Sequence, residues 1–193
     1  ADVLQIRKGL ELLSSDLNAI ANALVKIIKD HLTTPMAGRT HLQHALPVSF
    51  GYKASTWLSG IDRHIKRLEQ IKSRVFHLSF FGAAGTLASL GEENGLKTQN
   101  ALAKELDLNV PDVSWHSIRD NFCEITGWLA IVGASLSKIA YDIMLMMQSE
   151  IQEVAEPFLH GRGSSSTMPQ KRNPISSEIM LACSKLLREQ HSS

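Results

Sequence analysis

Three long stretches of the chain place an apolar residue at every third or fourth position, and that spacing limits what the chain can fold into. The first stretch runs Val3, Ile6, Leu10, Leu13, Leu17, Ile20, Leu24 and Ile27. The second runs Phe50, Ala54, Trp57, Ile61, His64, Leu68, Ile71, Val75 and Leu78. The third runs Ile118, Phe122, Ile125, Leu129, Val132, Leu136, Ile139, Ile143 and Met146, and continues less regularly to Val154 and Phe158. Alternating steps of three and four set these side chains along one stripe of an α-helix, the pattern of helices that pack lengthwise. No two-residue alternation points to a strand, so the expected fold class is all-α, a long-helix bundle.

Local signals refine the helices. The first is expected to end near His31, because Thr33 and Thr34 precede Pro35 and the residue before a proline disfavours helix. Its seam starts at the first residues with no cap ahead of it, which points to a piece of a longer chain. A short amphipathic helix is expected over Gly95 to Leu106. Ser117 is placed to cap the third long helix, with Asp120 in its first turn. Ile131, Ala134, Leu145 and Met147 widen the third stripe, so that helix is expected to be buried on more than one side. His64 lies inside a seam and reads as a satisfied core residue. Helices of roughly 30–40 residues are about 45–60 Å long. A chain of 193 residues cannot cover that much apolar surface alone, so self-association with closed symmetry is expected.

Composition removes several classes of function. A net charge of +1 leaves no general polyanion-binding surface, so no nucleic-acid partner is expected. Two cysteines, Cys123 and Cys183, are too few for a disulfide framework and read as small core residues in a reducing compartment. The start ADVLQIRKG lacks the layout of a secretory signal, and the most apolar run, Gly127 to Ser137, is too short to span a bilayer before Lys138 interrupts it. A cytoplasmic protein with no membrane partner is the expectation. Nothing resembles a metal-ligand cluster, and neither metal nor cofactor is expected.

The chemistry is concentrated where the helical pattern breaks, at 35–47, 80–91 and 160–174. The last break, Gly161 to Pro174 (GRGSSSTMPQKRNP), carries four consecutive hydroxyls, Ser164 to Thr167, with Arg162, Lys171 and Arg172 and no acid. A long, glycine-containing, cationic segment ahead of a helix that Pro174 can start suits a binding loop for an anion better than a plain linker. It is expected to be mobile without ligand. Hydroxyls, histidines and cations together favour proton transfer on a carboxylate-bearing substrate.

SSTMPQKRNP resembles the signature GSSxMPxKxNP of the fumarase/aspartase superfamily. GRTHLQHALP is similar to that family's second conserved region, and FGAAGTLASLG to its third-region glycine turn. The three occur in the family's order and spacing. The resemblance implies that this chain is the family's central helical-bundle domain over residues 1–193, without the N-terminal segment and the C-terminal domain. It also implies a homotetrameric helical core whose sites draw on three subunits.

Residue by residue, the resemblance puts the catalytic serine on Ser165, with Ser166 the neighbouring alternative and a substrate-binding residue. Ser164 stands where the family has glycine. Lys171 and Asn173 match residues that hold a substrate carboxylate, and Thr40 and His41 match a Thr-His pair that binds substrate and, in several lyases, assists the leaving group. His44 falls where relatives vary. Thr86 is either a substrate contact or a turn residue; Arg119 is either a carboxylate or phosphate contact or a helix-start salt bridge. The combination is most similar to the 3-carboxy-cis,cis-muconate cycloisomerase branch, which acts on a polycarboxylate without a cofactor, with the adenylosuccinate lyases next. A non-catalytic helical scaffold, as in the lens crystallins, is the remaining alternative.

Overall fold

A computed structural model describes residues 1–157, 167–168 and 170–192. The elements in chain order are α1 (Asp2–Asp30), a hairpin of β1 (Pro35–Thr40) and β2 (Gln43–Ser49), α2 (Phe50–Val75), α3 (Glu92–Leu106), α4 (Asp120–Met146) and α5 (Ile175–Ser192), with one 3₁₀ turn at Ala88–Leu90. The long-helix, all-α class expected from the seams holds. The chain divides into two compact units, one of Ala1–Asn18 with Ile65–Trp128, the other of Ala19–His64 with Leu129–Ser193.

In the first unit the core is built from Val3, Leu10, Leu17, Leu68, Ile71, Val75 and Ile125, all seam residues. Only every second seam position of α1 is buried; Leu13 remains 38% exposed. The chain after α2 is held by backbone pairing of Leu78 and Phe76 with Asn109, and by the Trp115 indole N–H donating to the Leu78 carbonyl at 3.0 Å. Arg7 donates to the carbonyls of Leu106 and Asp107, satisfying acceptors that the C-terminus of α3 would otherwise leave open. At Gly85 (φ +80°) a Cβ would lie 2.9 Å from the Ser114 Cβ, so only glycine fits that turn.

In the second unit α1 hands over to the hairpin as expected: the helix stops at Asp30 and Pro35 opens β1. The His31 carbonyl, just past the end of α1, accepts from the Gly51 N–H at 2.9 Å and from the Thr34 N–H at 3.4 Å. Ser49 caps α2 by accepting from the Tyr52 N–H at 3.1 Å. Ala54, Trp57, Ile61 and His64 are buried, and His64 pairs through Nε2 with the Ser135 hydroxyl at 2.8 Å, the satisfied core histidine its seam position predicts. Helices α4 and α5 approach closely where Gly133 faces Leu187 and Ser184.

Four expectations need correction. The stretch 35–47 is a strand pair, although it shows no clean alternation, because β1 is half-buried through its middle and β2 is exposed over most of its length. Ser117 does not cap α4: Trp115 to Ile118 close a turn of their own and the helix begins at Asp120. The third helix ends at Met146, not near residue 158, since the chain turns at Gln148 and Gln152 is left-handed (φ +48°). Cys123 and Cys183 are exposed and not core residues.

The eleven-residue apolar run also understates α4, whose best 18-residue window has a mean hydropathy of 1.5, long and apolar enough to cross a bilayer by length and composition. Core helices of bundles pass the same test. Only 28% of that window is buried within the chain, less cover than its broad stripe predicts for a helix packed on several sides.

Candidate active site

The hairpin carries the first pair of predicted site residues. Its register runs Pro35↔Ser49, Met36↔Val48 and Ala37↔Pro47, then Arg39↔His44 and Thr40↔Gln43, with a bulge between Ala37 and Arg39. The bulge forms because β2 has one residue more than β1 between those pairs. Gly38 sits at it, and a Cβ there would lie 2.4 Å from the Leu46 carbonyl oxygen, so the strands meet this closely only at a glycine. A two-residue turn closes the hairpin, with His41 (φ +47°) and Leu42 (φ +63°) both left-handed. Tight hairpins need that hand, yet it normally falls to Asn or Gly. Leucine there costs roughly 1–2 kcal/mol of backbone strain. Thr40 ends β1 and His41 begins the turn, both exposed at the tip.

Arg39, just before Thr40, is locked by a two-pronged ion pair: Nη1 donates to Glu153 Oε2 at 2.7 Å and Nη2 to Oε1 at 2.8 Å. The fork raises the guanidinium pKa and holds the Glu153 carboxyl below the usual carboxylate range; burial opposes both shifts, and an amide hydrogen bond from Ala37 adds to the second.

Beneath the hairpin lies a cleft of about 860 Å³, walled by Met36, Leu42, Leu46, Leu145, Met146 and Ile151, with Lys53 and Asp142 among its polar groups. Asp142 accepts from the Trp57 indole N–H at 2.8 Å and from Lys138, with the Lys53 ammonium 3.4 Å away. Burial pushes its carboxyl pKa up, but the hydrogen bonds from Lys138 and Trp57 and the two lysine charges outweigh that and bring it below the ordinary value. The two cations lining the cleft, Arg39 and Lys53, are therefore each balanced by a carboxylate. The cleft offers apolar walls and donors, and little net positive charge.

The second predicted group leads into α5. The Lys171 N–H donates to the Met168 carbonyl at 3.0 Å, Lys171 is exposed, and Asn173 is half-buried next to Pro174. Among the described residues neither side chain forms a hydrogen bond or ion pair. The start of α5 is capped from a distance: Glu156 accepts from the N–H groups of Ser176 (3.0 Å) and Ser177 (2.8 Å) and from the Ser177 hydroxyl (2.7 Å). Burial opposes ionisation of Glu156, but these donors win and hold its carboxyl below the usual range.

Thr40, His41, Lys171 and Asn173 thus share one unit, yet among the described residues no hydrogen bond joins the first pair to the second. Thr86 and Arg119 belong to the other unit. Thr86 is exposed in the glycine turn, where the Leu87 N–H donates to the Phe81 carbonyl at 2.9 Å. Arg119 lies over the Phe122 ring, 5.7 Å from its centre, and among the described residues makes no salt bridge. Ser165 and Ser166, and most of the segment expected to be mobile, lie outside the described residues. Sequence reasoning passed over Glu153, Glu156 and Asp142. The irregular continuation of the third seam read residues 147–158 as helix, and that hid the two glutamates of QEVAEP.

The Thr-His pair and the Lys-x-Asn segment sit at polar breaks of a helical domain, the places where the family resemblance puts them. A family model described as "Lyase" matches residues 2–186, and the chain belongs to that family, within the fumarase/aspartase superfamily. Trans-aconitate decarboxylase 1 of Mycosarcoma maydis is 44% identical, over 98% of this chain and 38% of the relative. The 3-carboxy-cis,cis-muconate cycloisomerase of Pseudomonas aeruginosa is 47% identical, over 93% of this chain and 39% of the relative. An adenylosuccinate lyase of Pyrococcus abyssi is 38% identical, over 97% of this chain and 42% of the relative. Among solved structures, the 3-carboxy-cis,cis-muconate lactonizing enzyme of Pseudomonas putida superposes with a TM-score of 0.90 at 39% identity, covering 98% of this chain and 41% of that one. The chain therefore spans about two fifths of the length of the relatives it matches.

Proposed function

We propose that this chain forms the central domain of a 3-carboxy-cis,cis-muconate cycloisomerase, a cytoplasmic enzyme of aromatic catabolism. The observation that carries the reading is the joint presence of the Thr40–His41 hairpin tip and the SSTMPQKRNP segment in a chain 47% identical to a relative of that name. On this reading a substrate carboxylate oxygen adds to one carbon of a conjugated double bond and closes a γ-lactone. The electron pair of that bond moves to the carbon next to another carboxylate, where an aci-carboxylate forms. Ser165, or Ser166 beside it, gives its proton to that carbon. Lys171 and Asn173 bear the charge that grows on the carboxylate oxygens, the point at which fixed donors lower a barrier most. Thr40 and His41 orient the substrate; the attacking carboxylate needs no protonation, so His41 acts by hydrogen bonding. Thr86 and Arg119 supply further carboxylate contacts in a homotetramer whose sites are shared between subunits. No cofactor takes part. The exposed thiols of Cys123 and Cys183 suit a reducing compartment.

A second reading, adenylosuccinate lyase, is favoured by the shared MPxKRNP ending and by the archaeal relative. The substrates named in the muconate and aconitate relatives are both unsaturated tricarboxylates, which supports the polycarboxylate class independently of the exact reaction. The test is an ultraviolet assay of the full-length gene product with 3-carboxy-cis,cis-muconate, trans-aconitate and adenylosuccinate in parallel, beside Ser165→Ala. Loss of diene absorbance with muconate, abolished in the variant, is the expected result. Turnover of either of the other two substrates with muconate untouched would overturn it.

A further inference from the structure

We propose that Glu153 and Glu156 are positioning residues: one short strut between α4 and the serine-rich segment holds both motif-bearing segments in place. The inference rests on the reading of Thr40–His41 and Lys171–Asn173 as substrate-binding groups. Those two pairs share no hydrogen bond among the described residues, so something else must fix each of them. Glu153 takes both prongs of Arg39, the residue before Thr40, and an amide hydrogen bond from Ala37. Glu156, three residues on, takes the N–H groups of Ser176 and Ser177 and the Ser177 hydroxyl, just beyond Asn173 and Pro174.

The strut is itself anchored. The Glu153 N–H donates to the Met146 carbonyl at the end of α4 at 2.9 Å, and Gln152 makes the left-handed turn that aims the segment back toward the hairpin strand. At the far end Ser177 is only 2% exposed, so its contact with Glu156 is shielded from competing water. Both glutamates act through partners that neighbour the site residues and touch no reacting atom themselves. A bidentate guanidinium–carboxylate pair fixes direction as well as distance, which matters for a turn that must carry strained residues such as Leu42. Displacement of a binding group by about 1 Å is enough to cost roughly a hundredfold in rate.

The experiment is hydrogen exchange on the full-length gene product carrying Glu153→Ala, Glu156→Ala or Arg39→Lys, read with steady-state kinetics on whichever substrate the parent turns over. The Arg39→Lys protein keeps the charge and loses the fork, and serves if Glu153→Ala does not fold. Expected are a tenfold or greater rise in exchange confined to residues 35–49 for Glu153→Ala and Arg39→Lys, and confined to the first turns of α5 for Glu156→Ala. Each variant should also lose at least tenfold in kcat/KM, with the parent's pH profile retained. Unchanged exchange, or exchange that rises everywhere, would overturn the strut; local exchange with unchanged kinetics would overturn its role in positioning. The exchange readout needs no substrate, so failure of the functional reading leaves it decisive.

Discussion

Replacing Asp142 by alanine tests how the floor of the cleft is held. Its carboxylate accepts from the Trp57 indole at 2.8 Å, and Trp57 is only 6% exposed, so truncation strands a buried N–H. An orphaned donor of that kind costs about 1–3 kcal/mol. Two lysine pairs are lost as well, but the Lys138 side chain is 59% exposed and Lys53 27%, so each adds only about 0.2–1 kcal/mol after solvent screening. The expected destabilisation is roughly 1.5–5 kcal/mol for Asp142→Ala. Asp142→Asn keeps an acceptor for Trp57 and gives up the charge, so about 0.5–2 kcal/mol is expected. Urea denaturation at one protein concentration, with m unchanged, measures both. The folded pKa of Asp142 is depressed, so its contribution is complete above the unfolded pKa and is lost as pH falls through the folded one. The gap between parent and Asp142→Asn should therefore begin to narrow below the unfolded carboxylate pKa and close as pH falls through the lowered folded value. Equal losses for Ala and Asn, or less than about 0.5 kcal/mol for Ala, would refute the assignment of Trp57 as the group that matters.

Gly38→Ala should force the bulge apart, since its Cβ would meet the Leu46 carbonyl, and cost about 1–3 kcal/mol by urea denaturation with faster amide exchange over 35–49. Cys123 and Cys183 should both react with an aromatic disulfide reagent in the native protein, two thiols without denaturant, because both are exposed. The Glu156 carboxyl is also depressed, so the Ser176 and Ser177 amides should stay protected through neutral and mildly acid pH. Protection should be lost only as pH falls through the lowered value, a change that NMR of those two amides would follow.

What could be read from the sequence follows from the range of the forces involved. The seams of α1, α2 and α4 were legible because helical burial repeats locally: Val3, Leu10, Leu17 and Leu24 recur at one interval and are all buried. The hairpin was not legible, because β1 is half-buried through its middle and β2 exposed over most of its length, which leaves no alternation for periodicity to detect. Its turn also carries His41 and Leu42 where Asn-Gly would have announced it. Motif resemblance singled out Thr40, His41, Lys171 and Asn173 as candidates without any view of the contacts around them. The contacts that fix the hairpin and the start of α5 are long-range in sequence, Arg39 to Glu153 and Glu156 to Ser177. A single chain without its structure gives no signal for such pairs beyond the presence of acids in the polar segment after α4.

The charge balance then bears on where a polycarboxylate would be held. Arg39 and Lys53 are the cations that line the cleft, and Glu153 and Asp142 already neutralise them. Receiving a substrate on Arg39 would strip the partly buried Glu153 of its guanidinium, and receiving one on Lys53 would leave Asp142 with only Lys138 and the Trp57 indole. On the proposed reading the substrate's charges must therefore meet groups outside those pairs. Lys171, exposed and without an ion pair among the described residues, is such a group. If Lys171 is the dominant anchor, Lys171→Met should raise KM for the polycarboxylate far more than Lys53→Met does. A larger effect from Lys53 would mean that the Asp142 pair opens on binding, and that the cleft itself receives the charge.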